Sequence, residues 1–145
     1  MDSAILTGIA EEFGAPLYVY DASKIEAQYK RLTSAFNKVP HLRLNYAAKA
    51  LSNLSILRFM NQLGAGLDTV SIQEVQLGLL AGFQPESIIF TPNGVSLEEI
   101  EEASALGVQI NIDNLSILEQ FGSKFPDVPV CIRINPHVMA GGNSN

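Results

Sequence analysis

The sequence predicts an α/β protein whose strands form part of a (β/α)8 TIM-like barrel. Five strand-like runs carry the prediction: LRLNYA (42–47), GLDTV (66–70), SIIF (87–90), VQINI (108–112) and PVCIRI (129–134). Their centres recur about every 22 residues, which is room for one strand, one helix and two short loops. The first four runs are each followed by apolar residues at helical spacing, so the unit is βα, and strands joined by crossover helices lie parallel. A doubly wound dinucleotide fold would need G-x-G-x-x-G at its first strand-to-helix turn, where this chain reads AAKALSN. The even period without that fingerprint favours the barrel, and eight such units would need roughly 200 residues or more.

The elements follow in order. MDSAILTGIAEEFG meets Glu11 and Glu12 too early to supply the apolar core of a secretory signal. No apolar run approaches the ~18 residues that span a bilayer, and a cytoplasmic location is expected. GAPLYVYD (14–21) reads as a short strand outside the period, one that would join a second β domain, and Asp21 can cap the helix ASKIEAQYKRLTSAF. Residues 1–40 thus read as a lead-in strand and helix, and residues 41–145 as the first part of the barrel. Ser52 and Asn53 are cap candidates for LSILRFMNQL. Ser71 with Glu74, and Ser96 with Glu99, have the S-x-x-E spacing of a capping box. Asp113 and Asn114 precede the helical run LSILEQFGSKF. The chain stops at AGGNSN just after its fifth strand, so it reads as the front of a larger protein, with the rest of the barrel and a C-terminal β domain lying beyond Asn145.

Composition excludes several functions. Nine Lys and Arg against fifteen Asp and Glu, with the basic residues scattered, argue against nucleic acid as a partner. The lone cysteine, Cys131, cannot form an internal disulfide, and VPVCIRI predicts that it is a buried small hydrophobe. His41 and His137 share no carboxylate or cysteine spacing, so no metal site is expected.

In a barrel, chemistry gathers where the strands end, on the C-terminal face. There the five runs place Lys49, Asp68, Thr91 to Asn93, Asp113, and Arg133 with Asn135. Asp113 and Ser71 read first as helix caps, Asn93 and Gly94 as a turn, and Gly141 and Gly142 as a loop. Asp68 reads equally as a cap or as a functional group. Arg133, inside an apolar run, should need a buried anionic partner. Lys49 is the sharpest case. A lysine at a strand end usually snorkels to solvent, but among Tyr46, Ala47, Ala48 and Ala50 at a barrel mouth it would lose hydration, which disfavours the ammonium form. A neutral amine condenses with an aldehyde to give a Schiff base. The alanines would leave room for a flat ring.

These segments resemble a known family. YAAKA (46–50) is similar to the Y-A-x-K-A segment that carries the pyridoxal-phosphate lysine in the alanine racemase-like barrel family, which includes ornithine, arginine and diaminopimelate decarboxylases. GAPLYVYD, GLDTVSIQEVQLGLLAG and GVQINIDNLSIL match further segments in order, and RINPHVMAGGN resembles the diaminopimelate form. The resemblance implies a pyridoxal 5'-phosphate enzyme of lysine biosynthesis that decarboxylates meso-2,6-diaminopimelate to L-lysine and carbon dioxide. Its implied homodimer would have shared sites and no membrane partner. Lys49 would carry the cofactor, with Asp68 and Arg133 lining its pocket. The stacking histidine, phosphate loop and ring-nitrogen glutamate of the family would follow Asn145, so the 145 residues alone should be inactive. Other readings are a decarboxylase of another basic amino acid or polyamine precursor, a racemase, and a non-catalytic pyridoxal-phosphate-binding barrel protein.

Overall fold

The computed structural model describes residues 2–136. Two compact units divide the chain, the first ending at Leu42 and the second beginning at Arg43. The first holds two helices. α1 (Ser3–Phe13) is capped by Asp2, whose carboxylate accepts from Ala4 N. No helix was expected over this stretch of MDSAILTGIAEEFG, so α1 is an addition to the elements read from the sequence. α2 (Ala22–Ala35) starts where expected, with Asp21 accepting from Lys24 N at 3.1 Å. Between them, residues 14–21 form no strand. A strand is defined by its ladder partner, and no described residue pairs with this segment, which leaves Tyr18 90% exposed.

The second unit is a parallel βα array. Its elements are β1 (Asn45–Ala47), α3 (Leu54–Gln62), β2 (Gly66–Thr69), α4 (Ile72–Leu80), β3 (Ile88–Phe90), α5 (Leu97–Ala105), β4 (Gln109–Ile112), α6 (Leu115–Lys124) and β5 (Cys131–Ile132). The strands run in the order β1-β2-β3-β4-β5, every pair parallel. A doubly wound sheet reverses its strand order at a switch point. This sheet never does, so its winding is that of a barrel.

Local chemistry starts each helix. Asn53 caps α3, accepting from Ser55 N at 3.0 Å and Ile56 N at 3.3 Å. Ser96 and Glu99 form the full capping box of α5. At α4 the box is displaced by one residue: Ser71 accepts from Glu74 N, but the Glu74 carboxylate reaches back to Val70 N at 2.8 Å. At α6 the cap is Asn114, accepting from Ile117 N, and not its neighbour Asp113. One residue of phase decides which of two adjacent polar side chains sits at the helix mouth.

The core lies between sheet and helices. Leu67, Ile88, Phe90 and Ile110 are each no more than 1% exposed, and burying such a side chain stabilises the fold by about 1.5–3 kcal/mol. On α4, Gly78 faces the sheet, where a Cβ would collide with the Leu67 and Ile88 side chains. That glycine lets the helix lie close on β2 and β3. Strand residues alternate between faces, so Leu67, Ile88 and Phe90 look toward the helices, while Asp68 and Ile89 look the opposite way.

Candidate active site

The face opposite the helices carries the polar residues. β1 runs into a single 3-10 turn, Ala48–Ala50, which presents Lys49 at the C-terminal end of the strand. The turn is tied at its far end, where Leu51 N donates to Ala48 O and the Tyr46 hydroxyl donates to Leu51 O, both at 3.1 Å. Ala48 is fully buried and anchors it, whereas Lys49 is exposed. The loss of hydration expected from its alanine neighbours is not seen among the described residues. The turn spends its one buried position on Ala48 and directs the lysine away from the core.

Asp68 is part-buried at the centre of β2, opposite Ala47 of β1 and Ile89 of β3. It caps no helix, because Ser71 does so for α4. Its Oδ1 accepts from the Thr91 hydroxyl at 3.1 Å, and Thr91 Oγ1 in turn accepts from Asn111 Nδ2 at 2.9 Å. Three adjacent strand units thus share one chain of hydrogen bonds. Asn111 Oδ1, at its end, is buried without a hydrogen-bond partner among the described residues, a condition that costs about 1–3 kcal/mol. The sequence reading named Asp68 and Thr91 but missed Asn111. The signal was present in QINI, where Ile110 and Ile112 claim the helix side, so Asn111 must face the other way.

Arg133 follows β5, its backbone N donating to Ile112 O at 2.8 Å. Its side chain is exposed, which removes the need for the buried anionic partner expected of it. Cys131 is exposed as well. It lies opposite Asn111 in the register, off the helix side, and its sulfur accepts from Gln109 Nε2 at 3.6 Å. Both are exposed for one reason: β5 is an edge strand among the described residues, and even Ile132, opposite the buried Ile112, is 60% exposed. β5 pairs only with β4 among the described residues. No ion pair joins Lys49, Asp68 or Arg133 to one another there.

Beyond the strand ends, Asn93 and Gly94 form the turn after β3, with Gly94 at φ +70°. With Asp113 and Asn114 they line a cavity of about 250 Å³ against α5 and α6. His137, Gly141 and Gly142 lie outside the described residues. Among the described residues no group of three His, Cys, Asp or Glu is placed to hold a metal ion, and no helix is long and apolar enough to cross a membrane.

The family described as "Pyridoxal-dependent decarboxylase, pyridoxal binding domain" matches residues 22–145. The diaminopimelate decarboxylase of Methanothermobacter thermautotrophicus is 38% identical over 135 residues, covering 92% of this chain and 32% of that protein. The structure of diaminopimelate decarboxylase from Helicobacter pylori complexed with L-lysine superposes with a TM-score of 0.81 at 35% identity, over 92% of this chain and 35% of that one. The lysine/ornithine decarboxylase of Vibrio vulnificus complexed with putrescine gives a TM-score of 0.79 at 31% identity, over 90% of this chain and 36% of that one. The chain therefore spans about a third of the length of the relatives it matches.

Proposed function

The chain belongs to the pyridoxal-dependent decarboxylases, through their pyridoxal-binding domain, and from that premise we propose that the whole protein converts meso-2,6-diaminopimelate to L-lysine and carbon dioxide. The observation that carries the reading is Lys49, an exposed amine on a braced turn at the end of the first barrel strand. The likeness to proteins named diaminopimelate decarboxylase, one of them in complex with L-lysine, supports the substrate.

The residues present fit pyridoxal phosphate. Ala48 and Ala50 flank the lysine without bulk, and Asn111 Oδ1 is a buried acceptor in need of a donor, on the face of the sheet that carries Asp68. When bound, the cofactor supplies an aldehyde for amines and a ring that takes up the electron pair left by departing carbon dioxide. Lys49 Nζ would anchor it, give way to the substrate amine and then serve in proton transfer. Asp68 and Arg133 would line the pocket, the first from within β2 and the second from just beyond β5. The full-length protein is further proposed to be cytoplasmic and a homodimer, the latter to be tested by sedimentation.

Borohydride reduction of the full-length protein, followed by peptide mapping, should find one pyridoxyl group, on Lys49. An adduct elsewhere, or none, would sink the assignment. Carbon dioxide release should be far faster from diaminopimelate than from ornithine or arginine. The reverse order would favour the second reading, a decarboxylase of another basic amino acid, which the likeness to the lysine/ornithine enzyme supports.

A further inference from the structure

Thr91 has no part in the reading above and Asn111 enters it only as a buried acceptor, yet together they tie the end of the β3 unit and the middle of β4 to the Asp68 carboxylate. The chain has a fixed direction. A threonine hydroxyl has a single proton. Thr91 Oγ1 accepts from Asn111 Nδ2, so that proton goes to Asp68 Oδ1. Asn111 can donate to Thr91 only with its amide nitrogen turned that way, which fixes where its oxygen points. That oxygen is buried and lacks a donor among the described residues. Buried acceptors are nearly always satisfied, and the face it occupies is the one that carries Asp68, with Lys49 on the turn that ends the neighbouring β1.

We propose that Thr91 and Asn111 are positioning residues of the cofactor site, Thr91 orienting the Asp68 carboxylate and Asn111 Oδ1 accepting an O–H or N–H from the bound pyridoxal or its amino-acid adduct. The inference rests on the functional reading above and deepens it. It assigns the orphan oxygen a ligand donor, and it gives Asp68 a fixed orientation that a solvated carboxylate would lack. Thr91→Val keeps the shape of the side chain, frees Asp68 Oδ1 and leaves Asn111 Nδ2 without its acceptor. Thr91→Ser keeps the hydroxyl.

The test uses the full-length holoenzyme and three readouts: the pH midpoint of the visible absorbance of lysine-bound pyridoxal, the affinity for pyridoxal phosphate by equilibrium dialysis, and the melting temperature of the apo-protein. Thr91→Val and Asn111→Leu should each weaken pyridoxal phosphate binding about tenfold, the equivalent of one hydrogen bond. Thr91→Val should also move the absorbance midpoint by about half a pH unit or more, while Thr91→Ser stays at the wild-type value. A purely structural role would lower the apo melting temperature and leave the midpoint in place. That result, or a Thr91→Ser shift as large as that of Thr91→Val, overturns the inference. If Thr91→Val does not fold, Asn111→Leu decides alone: unchanged affinity overturns the proposal. A wild-type protein without a pyridoxyl group on Lys49 after borohydride removes the functional reading itself, and so distinguishes its failure from that of the relay.

Discussion

Along β2, Leu67 and Thr69 are fully buried on the side where α4 packs, and Asp68 between them looks out on the opposite face. The two faces solve the same problem differently. Thr69 satisfies its hydroxyl by donating to the Ile89 carbonyl of the neighbouring strand, so a polar residue on the helix side disappears into the ladder. Asp68 and Asn111 instead find partners by reaching across strands through Thr91, and they leave an acceptor over. Period-two alternation thus lays a dry layer and a chemical layer back to back within strands of two to four residues. A substitution on one face should leave the other nearly untouched.

The strongest test of that separation is Lys49→Ala in the full-length protein. Activity should fall on the order of 10⁴-fold, the upper range for losing a group that handles protons in the reaction. Stability should change by less than about 0.5 kcal/mol, because the side chain is exposed. A large loss of stability by denaturant titration would show that Lys49 also belongs to the packed layer. Phe90→Ala is the mirror experiment. It removes one of the largest fully buried side chains and should cost about 3–5 kcal/mol. In protein that remains folded, the pyridoxyl group should still map to Lys49, and its absence would mean that the two faces are coupled.

The sequence displayed this layering unevenly, for physical reasons. The βα period, the helix caps at Asp21, Asn53 and Ser96, and the position of Lys49 all depend on a few residues in a row, and each could be read from local spacing. Whether Cys131 and Arg133 were buried depended on what covers β5, an edge strand among the described residues whose Ile132 is exposed as well, and no local pattern contains that. The relay from Asp68 to Asn111 depended on register, a relation between residues 43 positions apart that no local pattern contains. The strand expected at residues 14–21 has no ladder partner among the described residues, since its β propensity is real but a ladder needs a second edge.

A finer comparison lies at α6, where two adjacent polar residues have different duties. Asn114→Ala removes the cap that accepts from Ile117 N and should cost about 1 kcal/mol in denaturant unfolding. Asp113→Ala should stay within about 0.5 kcal/mol, because the exposed side chain caps nothing. Equal losses would mean that Asp113 shares the helix mouth after all.

The smallest effect expected is electrostatic and belongs to the helix layer. At the start of α5, the Glu98 carboxyl is held below the usual glutamate range, first by its own backbone N–H, then by the Ser96 hydroxyl, with a further contribution from the Lys124 charge. A carboxyl that titrates lower in the folded than in the unfolded chain adds stability above the unfolded pKa and loses it as pH falls through the folded one. Glu98→Gln should therefore be slightly less stable than wild type near neutrality, and the gap should close between about pH 5 and pH 3. A gap of constant size across that range would show that packing, not charge, sets it. The pH profile of decarboxylation should be the same in both proteins, because Glu98 lies in the first turn of a covering helix, apart from the face that carries Lys49 and Asp68. A displaced activity profile would mean that charge in the outer layer reaches the site through the sheet.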